Sequence, residues 1–472
     1  MKHLIGLNDT RWQAGVVEPI IQNTDALING HMMLAGMSGT GKSYQIEQYL
    51  AACIRNKVVV DVMDVAEELD FGGPHSRAVK YSAATRLGYN PLVVYTNEHS
   101  GGPVNQIHYV VDLIHKASGA PLGPRQIRAL HNLIGDLYHL RGIYPDNPRS
   151  WHKREITERQ WEEMKNAHDY GAMRDFYPTL GDLEEYAERK VQQLKLGTTG
   201  QCVTALNRVM SSASKMQSIN SRYGKAPPAD QQKLADQLNR EKEKAKDAYN
   251  SFIDMIETGR EFTDAMKYTD SETLEGVLDR VRAIRSTGIC NSNPPDFGDA
   301  LVRVHGIKDL RDEFKNMHVY NRAEQFLREC IDAGKQPTLR RVFLVDEAHR
   351  YFTADRDNPL NRIANEGRKW GAALVMASPS PKHFSEEFFT NCGTIMLLGI
   401  NDKFWPDAIR LMSITREDLV RTRPKEMLML KMHVSGEQAP RFMGVNVNKA
   451  AVAEGMQTLR VRLQQQQAAQ AS

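Results

Sequence analysis

Short apolar runs, broken by glycine, proline or acidic residues, recur at both ends of the chain, while its middle carries apolar residues at helical spacing among charged ones. The run HMMLAG over 31–36 stops at a glycine-rich turn, and SYQIEQYLAACI over 43–54 then repeats its apolar residues with helical period. KVVVDVMD over 57–64 reads as a buried strand, because three consecutive valines pack better on a pleat than in a helix. Strand, turn, helix and strand in that order are the building block of a parallel sheet. Five later runs predict further strands of one buried sheet: ALVRVHGI (300–307), VFLVDEAH (342–349), AALVMAS (372–378), TIMLLGI (394–400) and EMLMLKM (426–432). Ahead of the first strand, IGLNDTRWQAGVVEPI is long enough for a hairpin.

The middle is helical and polar, with predicted helices over 125–140, 180–194, 230–257 and 271–285. Leu238, Ala245 and Phe252 lie seven apart, as do Tyr249 and Ile256, so the third helix turns one narrow apolar stripe toward a neighbour. Pro227-Pro228 opens that helix and Pro294-Pro295 closes the segment. The expected organisation is an α/β core in two halves, 1–105 and 296–460, split by an inserted α-helical subdomain over 106–295. The glutamine-rich end, 461–472, reads as a disordered tail.

Composition narrows the class without naming the chemistry. With 472 residues, 41% hydrophobic and 25% charged, the chain is long enough to bury a sizeable core. Lys plus Arg is 61 and Asp plus Glu is 58, and a balance of +3 is too weak for a global nucleic-acid footprint. A polyanion partner must meet local basic loops. Cys53, Cys202, Cys290, Cys330 and Cys392 are scattered and form no CxxC pair, which argues against a disulfide framework and a structural zinc site. Neither a signal peptide nor an apolar run of about 18 residues is present, so the expectation is a cytoplasmic protein with no direct membrane insertion.

Candidate chemistry begins at Gly36-Met37-Ser38-Gly39-Thr40-Gly41-Lys42-Ser43, which matches G-x-x-x-x-G-K-[ST] after a predicted strand and at the start of a predicted helix. Glycines let such a loop curl its N–H groups inward around a polyphosphate, and the helix N-terminus adds partial positive charge. Gly36, Ser38, Gly39, Thr40, Gly41, Lys42 and Ser43 are thus the expected nucleotide contacts, with Lys42 reaching the β and γ phosphates of ATP and the Ser43 hydroxyl ligating Mg²⁺. VFLVDEAHR places Asp346 and Glu347 at the C-terminal end of a buried strand, where open α/β sheets bind ligands. Asp346 is the second metal residue, acting through water, and Glu347 orients or deprotonates the attacking water. An apolar run followed by Asp-Glu is otherwise often a strand end meeting solvent; the phosphate loop in the same chain is what makes it chemical.

VDEAHRYF, NPLNRIANEGRKWGAALVMAS and FFTNCGTIML, in that order after the phosphate loop, resemble the HerA/FtsK superfamily of P-loop ATPases, particularly its HerA branch. Tyr89-Asn90-Pro91-Leu92 also looks like a segment of the related pumping ATPases of type IV secretion. The resemblance covers the two sheet-forming regions. It implies a RecA-like core with a mainly parallel sheet, a homo-hexameric ring, ATP-driven movement of double-stranded DNA, and a partner nuclease or other effector. In such rings a neighbouring subunit's arginine completes each site; Arg368, in Glu366-Gly367-Arg368-Lys369, matches the motif position, with Arg362 as runner-up. Solvation of an exposed helix face is the plain alternative for both arginines. Two departures stand out. Pro379 occupies the place of the glutamine that relatives use to sense the γ phosphate, with Ser378 or Ser380 as short substitutes, and too few residues precede the phosphate loop for the family's N-terminal β-barrel.

Residues outside those motifs say less. Lys233, Arg240, Lys242, Lys244 and Lys246 are interleaved with Glu241, Glu243 and Asp247, the pattern of a solvated helix face rather than a DNA stripe. The histidines show no metal-ligand spacing, and His349 is expected to pack or hydrogen-bond at its strand end. Three functions fit: a DNA-translocating ATPase motor of repair or antiphage defence, a type IV secretion or conjugation pump, and a nucleotide-stabilised ring scaffold that activates an effector enzyme.

Overall fold

The computed structural model describes residues 1–471 except 68, 70, 71, 118–120, 170, 197, 225, 257, 258, 260–263, 265, 266, 269, 352–357 and 385. Met1–Tyr89 and Pro294–Ser472 make one compact unit and Asn90–Asn293 a second. The boundaries expected from sequence were 105/106 and 295/296; the proline pair sits at the second break.

Eleven strands of the first unit form one sheet: β1 (Lys2–Asn8), β2 (Pro19–Asn23), β3 (Met32–Ala35), β4 (Val59–Asp64), β5 (Ser76–Lys80), β6 (Val302–Gly306), β7 (Arg341–Val345), β8 (Ala372–Ser378), β9 (Thr394–Leu397), β10 (Met427–Met432) and β11 (Met443–Asn446). Their spatial order is β2-β1-β11-β10-β9-β3-β8-β7-β4-β6-β5, parallel from β9 through β5 and antiparallel across the other edge. The fold is therefore α/β with a mainly parallel central sheet. The expected hairpin is β1 and β2, with a short helix, Asp9–Gln13, at its turn.

Every residue of β3 and β8 is buried, as strands covered by helices on both faces require. Alternation along the strands sorts the two faces. Met32, Leu34, Val60, Val62, Val342, Leu344 and Val375 share a core with Tyr49, Leu50 and Cys53 of the Lys42–Arg55 helix. On the other face Phe343 meets Phe326 of the Asp312–Asp332 helix at 5.3 Å. Fully buried Asp61 of β4 accepts from Arg322 of that helix (3.1 and 3.2 Å) and from His305 Nε2 (3.2 Å). Burial alone would raise its pKa, but Arg322, His305 and Arg341 outweigh burial and hold the carboxyl below the usual range. The acidic residue inside a valine run is thus an electrostatic pin between sheet and helix.

The Lys449–Ala471 helix runs through the tail read from sequence as disordered, in keeping with the good helix propensity of glutamine and alanine.

The second unit holds the helices Pro103–Ala117, Pro124–Leu140, Glu158–Asn166, Leu180–Leu196, Thr198–Tyr223, Pro228–Asp254 and Ser271–Ser286. Buried Asp182 gathers Arg141 (2.5 Å), Trp161 Nε1 (2.8 Å) and the Thr179 amide (2.8 Å). Phe252 packs on Cys202 and Ala205, so the predicted stripe faces the Thr198–Tyr223 helix, while Tyr249 lies off it and half exposed. Lys244 pairs with Glu241 at 2.7 Å within the interleaved charge run. Among the described residues no helix is long and apolar enough to cross a membrane.

Candidate active site

The 36–43 loop joins the end of β3 to the Lys42–Arg55 helix at the carboxyl edge of the parallel strands. Both neighbouring strands hold it: the Gly36 amide donates to Ser378 O (3.1 Å) at the end of β8, and the Met37 amide to Gly399 O (2.9 Å) just after β9. Thr40 turns inward, its hydroxyl (2.8 Å) and amide (3.3 Å) both donating to Met37 O, while its carbonyl accepts from the Lys425 amide (3.1 Å). Gly39 and Gly41 have φ of +78° and +106°, a region L side chains rarely adopt. Among the described residues, the amides of Ser38, Gly39, Gly41, Lys42 and Ser43 find no protein acceptor. No side chain caps this helix and no acid lies in its first turn, so its positive end is uncompensated. The Lys42 ammonium donates to Gly36 O (2.8 Å) and Met37 O (3.3 Å) over the mouth of the loop.

β8 lies between β3 and β7, and their registers set Ala35 beside Ser378 and Val345 beside Met376. The phosphate loop and Asp346 therefore leave the sheet two strands apart, about 10 Å, on the same edge. Asp346 is buried and accepts from the Glu347 amide (2.9 Å). Burial pushes its carboxyl up to about 6; the Glu347 and Asp64 charges add to this, while the Glu347 amide and the Lys42 ammonium oppose it. Glu347 sits at φ +52°, a left-handed backbone that costs a non-glycine residue about 1–3 kcal/mol and recurs at functional sites. Its carboxylate lies 3.3 Å from His349 Nδ1.

Sequence reasoning missed part of this edge. His383, on a short turn after β8, bonds Ser378 Oγ through Nδ1 at 2.8 Å and meets the His349 ring at 4.9 Å. Burial lowers the pKa of both rings, with Glu347 opposing in each case. Asp64, which ends β4 and accepts from the Leu69 amide (3.1 Å), and Lys425, which braces the loop, were also missed. None of these lies in a motif; parallel register and turn geometry bring them in.

Arg368 occupies a different place. It precedes β8, at the opposite edge of the sheet from the loop, separated from it by about 20 Å of strand. There it is exposed and lines a cavity of about 450 Å³ with Gly30, Gln336, Leu339 and Lys369. Within one chain it cannot touch the phosphate loop. Arg362 is held by buried Glu324 at 2.6 Å.

No family model matches the chain. A 105-residue stretch is 29% identical to the "Probable DNA double-strand break repair helicase HerA" of Methanocaldococcus jannaschii, and the match covers 21% of this chain and 21% of that protein. The chain thus spans about a fifth of the length of that curated relative. The structure of VirB4 of Thermoanaerobacter pseudethanolicus superposes with a TM-score of 0.57 at 14% identity, covering 94% of this chain and 96% of that one. The plasmid coupling protein TrwB, solved with ADP and Mg²⁺, gives 0.46 at 9% identity and 95% coverage of both chains. The chain joins a HerA-like segment to a VirB4-like fold. The fold is the one VirB4 has, mixed α/β around a mainly parallel central sheet.

The residues fit a nucleotide carrying a divalent cation. Five amides with no protein acceptor among the described residues, at a helix end with no side-chain cap, offer a cradle for phosphate, and a side chain at Gly41 would be strained in that backbone. The Asp346 carboxyl, pushed toward neutrality by burial and secondarily by its acidic neighbours, is the kind of group that a cation stabilises in its charged form.

Proposed function

We propose that the chain is a magnesium-dependent ATPase that assembles as a homo-hexameric ring and moves double-stranded DNA, coupled to a partner nuclease or effector. The observation that carries the reading is the phosphate loop with free amides set two strands from the Asp346–Glu347 pair on one sheet edge. The HerA-like segment favours DNA as the cargo. Gly36 admits the tight turn; the amides of Ser38, Gly39 and Gly41 with Lys42 bind the phosphates; Thr40 braces the loop. Ser43 and Asp346 would hold Mg²⁺, which when bound neutralises charge on the β and γ phosphates. Glu347 takes the proton of the attacking water, and Arg368 acts on the nucleotide of the adjacent subunit, which is why its distance from its own loop is no obstacle.

Duplex DNA should raise the ATP turnover of the purified chain several-fold, and Lys42→Ala should abolish it. Turnover indifferent to DNA contradicts the motor. The VirB4 likeness, which runs over nearly the whole chain including the helical unit, favours a second reading as a conjugation or secretion pump. Activation by components of a membrane complex and not by DNA would select it.

A further inference from the structure

The carboxyl end of β8 projects between the phosphate loop and the acidic pair, and the reading above leaves its side chains unused. Ser378 is fully buried there, and the only hydrogen bond of its hydroxyl among the described residues is the 2.8 Å contact with His383 Nδ1. A hydroxyl hydrogen shut away from water needs an acceptor, and this ring nitrogen is the one within reach. Ser378 Oγ therefore donates, Nδ1 accepts, and the neutral ring carries its proton on Nε2. Nε2 itself has no protein partner among the described residues. The ring is held from several sides. Ser380 caps the Pro381–His383 turn by accepting from the Lys382 amide (3.3 Å), Phe404 meets the imidazole edge-on at 6.5 Å, and the His349 ring, beside Glu347, lies tilted by 32° against it. Pro379, between Ser378 and this turn, has no N–H to offer.

We propose that the Nε2–H of His383 is a hydrogen-bond donor to the γ phosphate during hydrolysis, with Ser378 as the positioning residue that fixes its tautomer. This rests on the ATPase reading. In the step, the water oxygen bonds to the γ phosphorus and its proton passes to the Glu347 carboxylate. The bond from phosphorus to the β–γ bridging oxygen breaks, and its electron pair leaves with ADP. His383 neither gains nor loses a proton; it shares Nε2–H with a γ oxygen whose environment is otherwise supplied by Lys42 and the loop amides.

Four variants of the full chain test this, read by ATP turnover and by ADP binding. His383→Phe keeps a ring against His349 but has no donor; its kcat should fall about a hundredfold, the scale of one lost oxyanion donor, with ADP affinity within twofold of the parent. His383→Gln, which restores an N–H, should turn over faster than His383→Phe. Ser378→Ala should lower kcat several-fold at unchanged KM, a split that a merely structural role would not produce. Lys42→Ala is the reference for no catalysis. A His383→Phe protein within twofold of the parent while Lys42→Ala is dead overturns the histidine assignment and spares the ATPase reading. A His383→Gln protein no better than His383→Phe also overturns it. A parent no faster than Lys42→Ala brings down the ATPase reading and this inference with it.

Discussion

Glu347, the proposed acceptor of the water proton, combines a carboxylate at a strand end with a backbone that few non-glycine residues adopt. Replacing it with Gln removes the proton acceptor and keeps the shape. Glu347→Gln should bind ATP as the parent does and lose at least about a hundredfold in turnover, read by single-turnover hydrolysis beside equilibrium binding. A second buried group sets a pH limit on the fold. His31, fully buried before β3, accepts the Leu374 amide on Nδ1 (2.9 Å), and burial pushes its pKa down to about 4. The unfolded chain takes up this proton near pH 6.5 and the folded chain only near 4. The contribution of His31 is thus complete above about pH 6.5 and is lost as pH falls toward 4, by about 1.4 kcal/mol per unit. Urea unfolding at pH 7 and pH 5 should show that slope, and His31→Asn should flatten it by one proton.

At the scale of elements, the turn after β3 and the strands beside it carry the site, and both make sharp demands on sequence. Gly41→Ala forces a side chain into a left-handed backbone, which should cost about 1–2 kcal/mol in melting experiments and weaken nucleotide binding more than it weakens the fold. Phe343→Ala opens a cavity against Phe326 and should cost about 3–5 kcal/mol in denaturant titration without changing the spacing of the loop and the acidic pair. These elements were legible because their signals are local: apolar runs mark β3, β4, β7 and β8, and glycine spacing marks the loop. β5 was not, since SRAVK is a partly exposed edge strand with no apolar run. Neither was the Asp312–Asp332 helix, whose buried face carries His318, Asn321, Arg322 and Glu324 and therefore looks polar. His383 was illegible for another reason. Its place depends on the insertion of β8 between β3 and β7, a long-range pairing that residue spacing along the chain does not encode.

The whole molecule divides one sheet edge, which holds the phosphate loop and the acidic pair, from the other, which holds Arg368. An arginine that serves a neighbour predicts complementation between subunits. Arg368→Ala and Lys42→Ala proteins should each be inactive alone, and mixing them should restore part of the turnover, because some boundaries then join an intact loop to an intact arginine; no recovery on mixing counts against the shared site. Everything assigned to the molecule depends on the loop and the acidic pair gripping one magnesium-bound triphosphate. Titration calorimetry with a non-hydrolysable ATP analogue tests that most directly: the account predicts saturable, magnesium-dependent uptake of up to one nucleotide per chain, abolished by Lys42→Ala and weakened by Asp346→Asn. No uptake by the parent, or uptake unchanged in Lys42→Ala, would contradict it.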